Sequence, residues 1–184
     1  MLKGIPNLLT PELLKILMEM GHGDTLVIGD GNFPAAAMAK NCKLVRLDGH
    51  GVPEILDAIL KFFPLDPYVE APVSLMEVVP GDPVETPIWD EYAKIVEKYE
   101  PGTKIGHIER FAFYEEAKKA YVIIATSEAA LYANVILQKG VVKEYNIAVN
   151  RGTAKPFPCL LSYSYIFRAP APPCFFWYST LPLR

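Results

Sequence analysis

The sequence has few of the features that mark secreted, membrane-spanning or zinc-binding proteins. It contains only 3 cysteines, Cys42, Cys159 and Cys174, and no two of them have CxxC spacing. An odd number of cysteines without paired spacing indicates a reducing compartment and argues against a disulfide framework or a zinc site. The sequence shows no apolar run of membrane-spanning length and no apolar signal segment near Met1. We therefore expect a cytoplasmic protein without a membrane partner.

The motifs of several large enzyme classes are also missing. The sequence has no GxxxxGK[ST] phosphate loop and no GxSxG nucleophile turn. Gly29-Asp30-Gly31 follows a predicted strand, but the third glycine of a dinucleotide loop is absent and Pro34 interrupts the pattern. Histidines and acidic residues occur, although never with HxH, HExxH or EF-hand spacing. We therefore predict neither a metal nor a cofactor.

Composition and charge divide the chain into two parts. Hydrophobic residues make up 51% and charged residues 21%, which is typical of a soluble globular domain with a real core. Residues 1–142 carry 20 of the 21 acidic residues and 13 of the 18 basic ones, so a nucleic-acid partner is not expected. Residues 143–184 are basic and hold six prolines and nine aromatic residues. We predict a domain over 1–142 and, in preference to a second functional module, a divergent extension over 143–184.

Helices and strands are predicted to alternate along residues 1–142. Thr10 is a good N-cap, Pro11 suits the first helical position, and Gly21 is expected to stop that helix. Strands that are separated by helices along the chain favour an α/β fold with a largely parallel sheet. The predicted helices cover 11–20, 53–62, 87–99 and 110–119, and the predicted strands cover 25–29, 43–47, 74–79, 121–126 and 135–137.

One histidine stands out because it lies between two glycines at the end of the first predicted helix. His22 is followed eight residues later by Asp30, which begins a second polar loop after a strand. Histidine can both give and take a proton near neutral pH. The alternative is an ordinary helix end with an incidental histidine, and spacing alone does not separate the two. A histidine, carboxylates, one arginine and aromatic residues in loops suit a small polyhydroxylated ligand handled by proton transfer.

Several segments together closely resemble the L-fucose mutarotase branch, in its animal form, of the ribose pyranase and fucose mutarotase family. The matching segments are residues 10–14, 20–24, 30–34, 48–49, 64–66, 109–120 and 131–141. The resemblance implies a three-layer α/β/α, ribose pyranase-like fold that interconverts the α and β anomers of a free monosaccharide, L-fucose, without cofactor or metal. D-ribose pyranase activity and non-catalytic sugar binding are the alternatives. The resemblance also implies a homo-oligomer, from dimer to decamer, with sites shared between subunits.

The same resemblance implies roles for individual residues. It makes His22 the proton donor, adds Asp66 and Tyr114 as catalytic residues, and gives the substrate-binding residues as Asp30, Met76, Arg110, Tyr132 and Asn134. Simpler roles are open for three of them: Asp66 as a turn cap, Arg110 as part of a helix start with Glu109, and Tyr114 with Phe111 as core. His50 and His107 have no matching role, so we interpret them as surface or structural residues. Gly31 and Ala133 depart from the family pattern, and Ala133 would be strained if its φ were positive.

Overall fold

In the computed structural model, which describes residues 2–142, helices and strands alternate as the sequence predicts. The extension over 143–184 lies outside the described residues. Among residues 2–142, no helix combines the length and apolar character needed to cross a membrane. The strands are β1 Thr25–Gly29, β2 Lys43–Leu47, β3 Val73–Met76, β4 Ile105–Ile108, β5 Val122–Thr126 and β6 Val135–Gln138. The helices are α1 Pro11–Glu19, α2 Ala35–Met38, α3 Val52–Leu60, α4 Ile88–Tyr99 and α5 Arg110–Ala117, with a 3-10 turn Ala39–Asn41 after α2.

The first helix begins for the local reason that the sequence indicates. Thr10 Oγ1 accepts a hydrogen bond from the Leu13 amide at 3.2 Å, and Pro11 occupies the first turn. The helix ends earlier than predicted, because Met20 is already extended and acts as the C-cap in place of Gly21. Residues 21–24 are therefore a loop between α1 and β1, and His22 lies within it.

The six strands form one sheet in the order β2-β5-β1-β6-β3-β4. Strands β2, β5 and β1 are parallel to one another, as are β3 and β4, whereas β6 is antiparallel to both β1 and β3. The sheet is thus largely parallel, as predicted. The reversal of β6 has a simple cause: a parallel crossover needs about a dozen residues or more, and only residues 127–134 connect β5 to β6.

Two cores cover the two faces of the sheet, which confirms the three-layer α/β/α prediction. In β1, Leu26 and Ile28 pack with α1, α3 and α4, while Val27 between them packs with α2 and α5. This alternation follows from the two-residue period of a strand. The inward face that the sequence indicates for the second predicted helix is confirmed, since four apolar side chains there are buried, namely Ile55, Leu56, Ile59 and Phe63.

The sheet has two edges that matter for function. At the carboxyl edge the five parallel strands end and β6 begins, so Ile28 of β1 lies opposite Val135. At the amino edge the same strands begin and β6 ends, so Thr25 lies opposite Gln138. Because β6 is antiparallel to its neighbours, its first residues lie at the carboxyl edge and its last residues lie at the amino edge.

Candidate active site

A buried pair of polar side chains lies at the carboxyl edge. The Asp30 amide donates to Asn134 Oδ1 at 2.9 Å, and Asn134 Nδ2 donates to Asp30 Oδ2 at 2.8 Å. The Asn32 amide donates to the other carboxylate oxygen, Oδ1, at 2.9 Å. Burial raises the pKa of the Asp30 carboxyl, and these hydrogen bonds offset only part of that effect. Each carboxylate oxygen keeps acceptor capacity for a ligand hydroxyl.

Two further features fix Asn134 in place. Its Nδ2 lies 3.8 Å from Met76 Sδ, so the Met76 side chain contacts the amide. The residue before it, Ala133, is fully buried, and its carbonyl accepts a hydrogen bond from the Tyr92 hydroxyl at 2.9 Å. Because the Asn134 side chain already contacts Asp30 and Met76, it loses little conformational freedom when it binds a ligand.

Tyr132 has an unusual backbone conformation. Its φ is 55°, and it is the single non-glycine residue within 2–142 with a positive φ. Bulky residues rarely adopt this region, and such strain is found preferentially at functional sites. Trp89 Nε1 donates to the Tyr132 carbonyl at 2.9 Å, and the Tyr132 hydroxyl donates to Asp82 Oδ2 at 2.6 Å. The positive φ therefore lies one residue before Ala133, and the strain considered for Ala133 does not arise.

The start of α5 brings Arg110 and Tyr114 to the same edge. Glu109 is the N-cap, accepting from the amides of Phe111 and Ala112, so it is a helix-start residue as the simpler interpretation holds. Arg110 is not its ion-pair partner: the guanidinium lies 4.7 Å above the Phe111 ring, and its buried Nε has no hydrogen-bond partner among residues 2–142. An unpaired buried donor of this kind is costly unless a ligand oxygen meets it.

Tyr114 and Phe111 do not form the core pair that their spacing allows. Phe111 is 63% exposed, so the interpretation of it as core is wrong. Tyr114 is half-buried, with its ring centroid 5.8 Å from that of Phe33, which follows Asp30 in the same loop. Tyr114 therefore lies beside the loop that carries Asp30.

A second pair of polar side chains lies at the amino edge. His22 Nε2 is 3.0 Å from Asp66 Oδ2; the imidazole is 47% exposed and the carboxylate only 3%. The Tyr68 amide donates to Asp66 Oδ1 at 3.0 Å, and Gln138 Nε2 donates to Oδ2 at 3.1 Å. Desolvation raises the pKa of Asp66, but the Tyr68, His22 and Gln138 hydrogen bonds outweigh it and leave the pKa below its usual range. The carboxylate thus stays ionised.

The two interpretations of Asp66 are compatible, because each uses a different oxygen. Oδ1 caps the turn at Tyr68, and Oδ2 contacts His22. Since the ionised carboxylate can only accept, a neutral His22 carries its proton on Nε2 and presents Nδ1 as an acceptor. The edge of the imidazole also contacts the Tyr68 ring, with centroids 5.7 Å apart. His22 is therefore an oriented proton acceptor at the surface.

The predicted site residues fall into two groups that are not adjacent within one chain. His22 and Asp66 lie at the amino edge, and the others lie at the carboxyl edge: Asp30, Met76, Arg110, Tyr114, Tyr132 and Asn134. The five residues of β1 separate His22 from Asp30, a length of about 17 Å. Asp30 is therefore not the neighbour of His22 in one chain, and a single sugar ring does not reach both.

The two other histidines occupy ordinary surface positions. His50 Nδ1 pairs with Glu54 at the start of α3, and His107 packs against Trp89 with ring centroids 4.8 Å apart. Within residues 2–142, no group of three or more His, Cys, Asp or Glu side chains is placed to hold a metal ion.

A depression of about 370 Å³ lies at the amino edge, and none of the eight predicted site residues lines it. It is lined by Asp24, Asn41, Cys42, Lys43, Lys119, Ala120 and Tyr121. Its lysines already have acidic partners, Lys43 with Glu19 and Lys119 with Glu116. The depression therefore offers no unpaired cation to a ligand.

The residues that support the site were not singled out by the sequence. Each of them is far along the chain from the residue that it contacts. Gln138 contacts Asp66, Asp82 contacts Tyr132, and Tyr92 contacts the Ala133 carbonyl. No spacing rule relates such distant positions. The sequence offers one signal for Gln138, which is its position directly after the apolar residues 135–137 of the predicted last strand.

Residues 3–142 match the model of the RbsD / FucU transport protein family. The chain belongs to the RbsD/FucU family. Human "Fucose mutarotase" is 50% identical over 144 residues, covering 76% of this chain and 94% of that protein. The crystal structure of FucU from Bifidobacterium longum is 62% identical with a TM-score of 0.75, over 77% of this chain and all of that one. The crystal structure of the Streptococcus pneumoniae fucose mutarotase in complex with L-fucose is 50% identical with a TM-score of 0.72, over the same shares.

Membership in the RbsD/FucU family confirms the resemblance drawn from the sequence motifs. The match spans nearly the whole length of the relatives, so their fold is present in full within residues 3–142.

Proposed function

We propose that this protein is an L-fucose mutarotase, an isomerase that interconverts the α and β anomers of the free sugar. The observation that carries the proposal is the oriented His22–Asp66 pair in a chain that is 50% identical to human fucose mutarotase. A solved relative of equal identity is described as a complex with L-fucose. The second group of polar residues at the carboxyl edge has the acceptors and donors that a sugar needs.

Anomer exchange requires two proton transfers and no net oxidation. A base removes the proton of the anomeric hydroxyl, and an acid protonates the ring oxygen, so the C1–ring-oxygen bond breaks and an aldehyde forms. Rotation about the C1–C2 bond and the reverse transfers close the other anomer. Neutral His22 accepts a proton at Nδ1, and the resulting imidazolium is stabilised by ionised Asp66 and returns the proton from the same atom. Proton transfer of this kind contributes roughly 10²–10⁴-fold in rate.

The carboxyl edge is proposed to hold the sugar. Asp30 accepts hydrogen bonds from hydroxyls, and Arg110 Nε donates to a sugar oxygen, which gives that buried donor its partner. Tyr132 donates its own proton to Asp82, so its oxygen is presented to the sugar as an acceptor. Asn134 and Tyr114 complete the contacts, and Met76 contacts the Asn134 amide.

We further propose that each site is formed by two copies of the chain, since one chain separates His22 from Asp30 by the length of β1. The amino edge of one copy would face the carboxyl edge of the next. Such a head-to-tail contact uses different surfaces on the two partners, and it gives a ring when the rotation from one copy to the next closes. Exposed aromatic rings lie beside each group, Tyr68 near His22 and Phe111 near Arg110, as expected of surfaces that become covered.

NMR saturation transfer between the two anomers of L-fucose tests the activity directly. Micromolar protein should accelerate the exchange, and His22→Ala should abolish the acceleration while leaving the fold intact. D-ribose is the comparison sugar, because faster exchange of its ring forms would indicate the pyranase alternative. Calorimetric binding of L-fucose without any faster exchange would instead favour a non-catalytic sugar-binding protein.

Mixing two inactive variants tests the shared site. His22→Ala and Asp30→Asn chains are each expected to be inactive, but a mixed assembly at equal amounts contains some sites with both intact halves. Random mixing restores about one quarter of the sites in a head-to-tail ring. Sedimentation of each variant alone is the control for assembly. Mixed oligomers without any recovered exchange would contradict a site built from two copies.

We propose that residues 1–142 form the mutarotase domain and that residues 143–184 are an extension outside it. The family match ends at residue 142, where the charge balance changes. The extension follows residues 138–140 in the sequence, and those residues lie at the amino edge. We propose that it alters ring assembly, because the amino edge is one of the two surfaces that the ring would use. Sedimentation of the full chain against a chain ending at Val142 tests this, and identical assembly would contradict it. A cytoplasmic location stays a prediction from the sequence.

A further inference from the structure

The end of β6 holds Asp66 at two points. Gln138 Nε2 donates to Asp66 Oδ2 at 3.1 Å, and the Gln138 carbonyl accepts a hydrogen bond from the Asp66 amide, also at 3.1 Å. The Gly140 amide adds a third link by donating to the Pro64 carbonyl at 2.8 Å. The loop that carries Asp66 is thus fixed to the last strand of the sheet by backbone and side chain together.

The next residue holds the other loop. Lys139 Nζ donates to the Leu17 carbonyl at 2.7 Å and to the Met20 carbonyl at 2.6 Å. These carbonyls can accept from Lys139 because the last carbonyls of a helix have no partner within the helix. The Lys139 carbonyl accepts from the Gly23 amide, and its amide donates to the Asp24 carbonyl, each at 2.8 Å. His22 lies between these attachment points, so Lys139 fixes the loop on both sides of the imidazole.

We propose that Gln138 and Lys139 are positioning residues that hold the His22 imidazole against Asp66 and leave its Nδ1 facing the sugar. This inference rests on the proposed function, in which His22 transfers the protons. Neither residue is among the eight predicted site residues. Gln138 acts on Asp66, Lys139 acts on the His22 loop, and their adjacency at the end of one strand sets the distance between the two.

Gln138 has a second consequence, because it donates to the same oxygen that meets His22. Two donors share the negative charge of Asp66 Oδ2, so the carboxylate attracts the imidazolium less strongly than it would alone. The Tyr68 ring on the Asp66 loop contacts the imidazole, and the charged residues on the attached segments are Asp24 on the His22 loop and Lys139 directly after β6. Asp24 Oδ2 accepts from the Gly21 amide at 2.6 Å, which ties that carboxylate to its own loop.

The test is an NMR measurement of the His22 ring nitrogen shifts in the full chain, which report where the imidazole proton lies. In Gln138→Met, which keeps the length but not the donor, Asp66 Oδ2 is left to His22 alone, so we expect these shifts to change. The pH profile of L-fucose exchange should move to higher pH, because the carboxylate then holds the imidazolium more strongly, with KM nearly unchanged. A residue that merely stabilised the fold would lower the folded fraction without changing either readout.

Lys139→Met is the second variant, with Lys139→Arg as the conservative rescue and Lys15→Met as the control. Lys15 lies on the exposed surface of α1 and pairs only weakly with Glu19, so its removal should change neither the His22 ring nitrogen shifts nor the exchange rate. In Lys139→Met we expect the His22 imidazole to lose its preference for a proton on Nε2 and the exchange rate to fall. Lys139→Arg should restore both in part.

His22 ring nitrogen shifts in Gln138→Met that match those of the unsubstituted protein would overturn the inference, even if Lys139→Met fails to fold. These shifts do not depend on catalysis. Absence of faster exchange in the unsubstituted protein would therefore contradict the proposed function, while changed shifts in Gln138→Met would still support the positioning role.

Discussion

Replacing Gly140 with alanine should damage the proposed active site from a position that touches no ligand. A Cβ at residue 140 would lie 2.3 Å from the Leu65 carbonyl oxygen, 2.7 Å from the Leu65 carbonyl carbon and 2.8 Å from Asp66 Cα. These are backbone atoms, so no side-chain rotation relieves the contact. The Gly140 amide is also bonded to the Pro64 carbonyl, so the two segments cannot separate without losing that bond.

The size of the effect follows from the overlap. Ordinary contacts of a Cβ begin at 3.4 Å, so the Asp66 loop must move away by about 1 Å. Overpacking of this kind costs about 1–3 kcal/mol of stability. A displacement of about 1 Å at a catalytic group lowers the rate by about 10²-fold, and here Asp66 moves relative to His22.

The assay is urea unfolding for stability and NMR exchange between L-fucose anomers for activity. Gly21→Ala is the matched control, because that Cβ meets only Asp24 Oδ2, at an ordinary 3.7 Å, although it lies next to His22. We expect it to change stability by less than about 1 kcal/mol. Gly140→Ala with unchanged exchange, or two variants with equal losses, would refute the reasoning.

Three further substitutions have expected outcomes. The pKa of Asp66 is lowered in the folded state, so its contribution to stability is present above its ordinary value of 3.8 and is lost as pH falls through the folded pKa. Urea titrations should therefore show a larger loss for Asp66→Asn at neutral pH than under strongly acidic conditions. Tyr132→Phe removes the bond to Asp82 and should raise KM for L-fucose with little change in thermal stability. Arg110→Lys keeps the charge but removes Nε, so calorimetry should show about tenfold weaker L-fucose binding, near 1.4 kcal/mol.

Local chemistry explains which parts of the fold were predictable. The start of α1 depends on Thr10 and Pro11 alone, and the inward face of α3 depends on spacing within one helix. Helix α2 was not predicted, because four residues are too few to show a helical period. The direction of β6 depends on the length of its connection and on its two neighbours, which are not local properties.

The candidate site shows the same division. The sequence indicates His22 as a proton-transfer residue and, through the family resemblance, Asp66 as a second one. It does not indicate that the two are hydrogen-bonded, since 44 residues separate them. The opposite error occurs for His22 and Asp30, which are close in sequence but lie at opposite ends of a strand. The sequence analysis considers a positive φ at Ala133 as a condition, whereas the structure has the positive φ one residue earlier, at Tyr132.

The place of β6 in the sheet has a consequence for biosynthesis. It is the last of the described strands to be made, yet it lies in the interior of the sheet, between β1 and β3. Until residues 135–138 have left the ribosome, the strands already made can pair only as two partial sheets, β2-β5-β1 and β3-β4, in which β1 and β3 each lack the neighbour that β6 provides. Such edges invite pairing with other chains. The sheet becomes continuous only when β6 pairs with both β1 and β3, and the same segment brings Asn134 to Asp30 and Gln138 to Asp66.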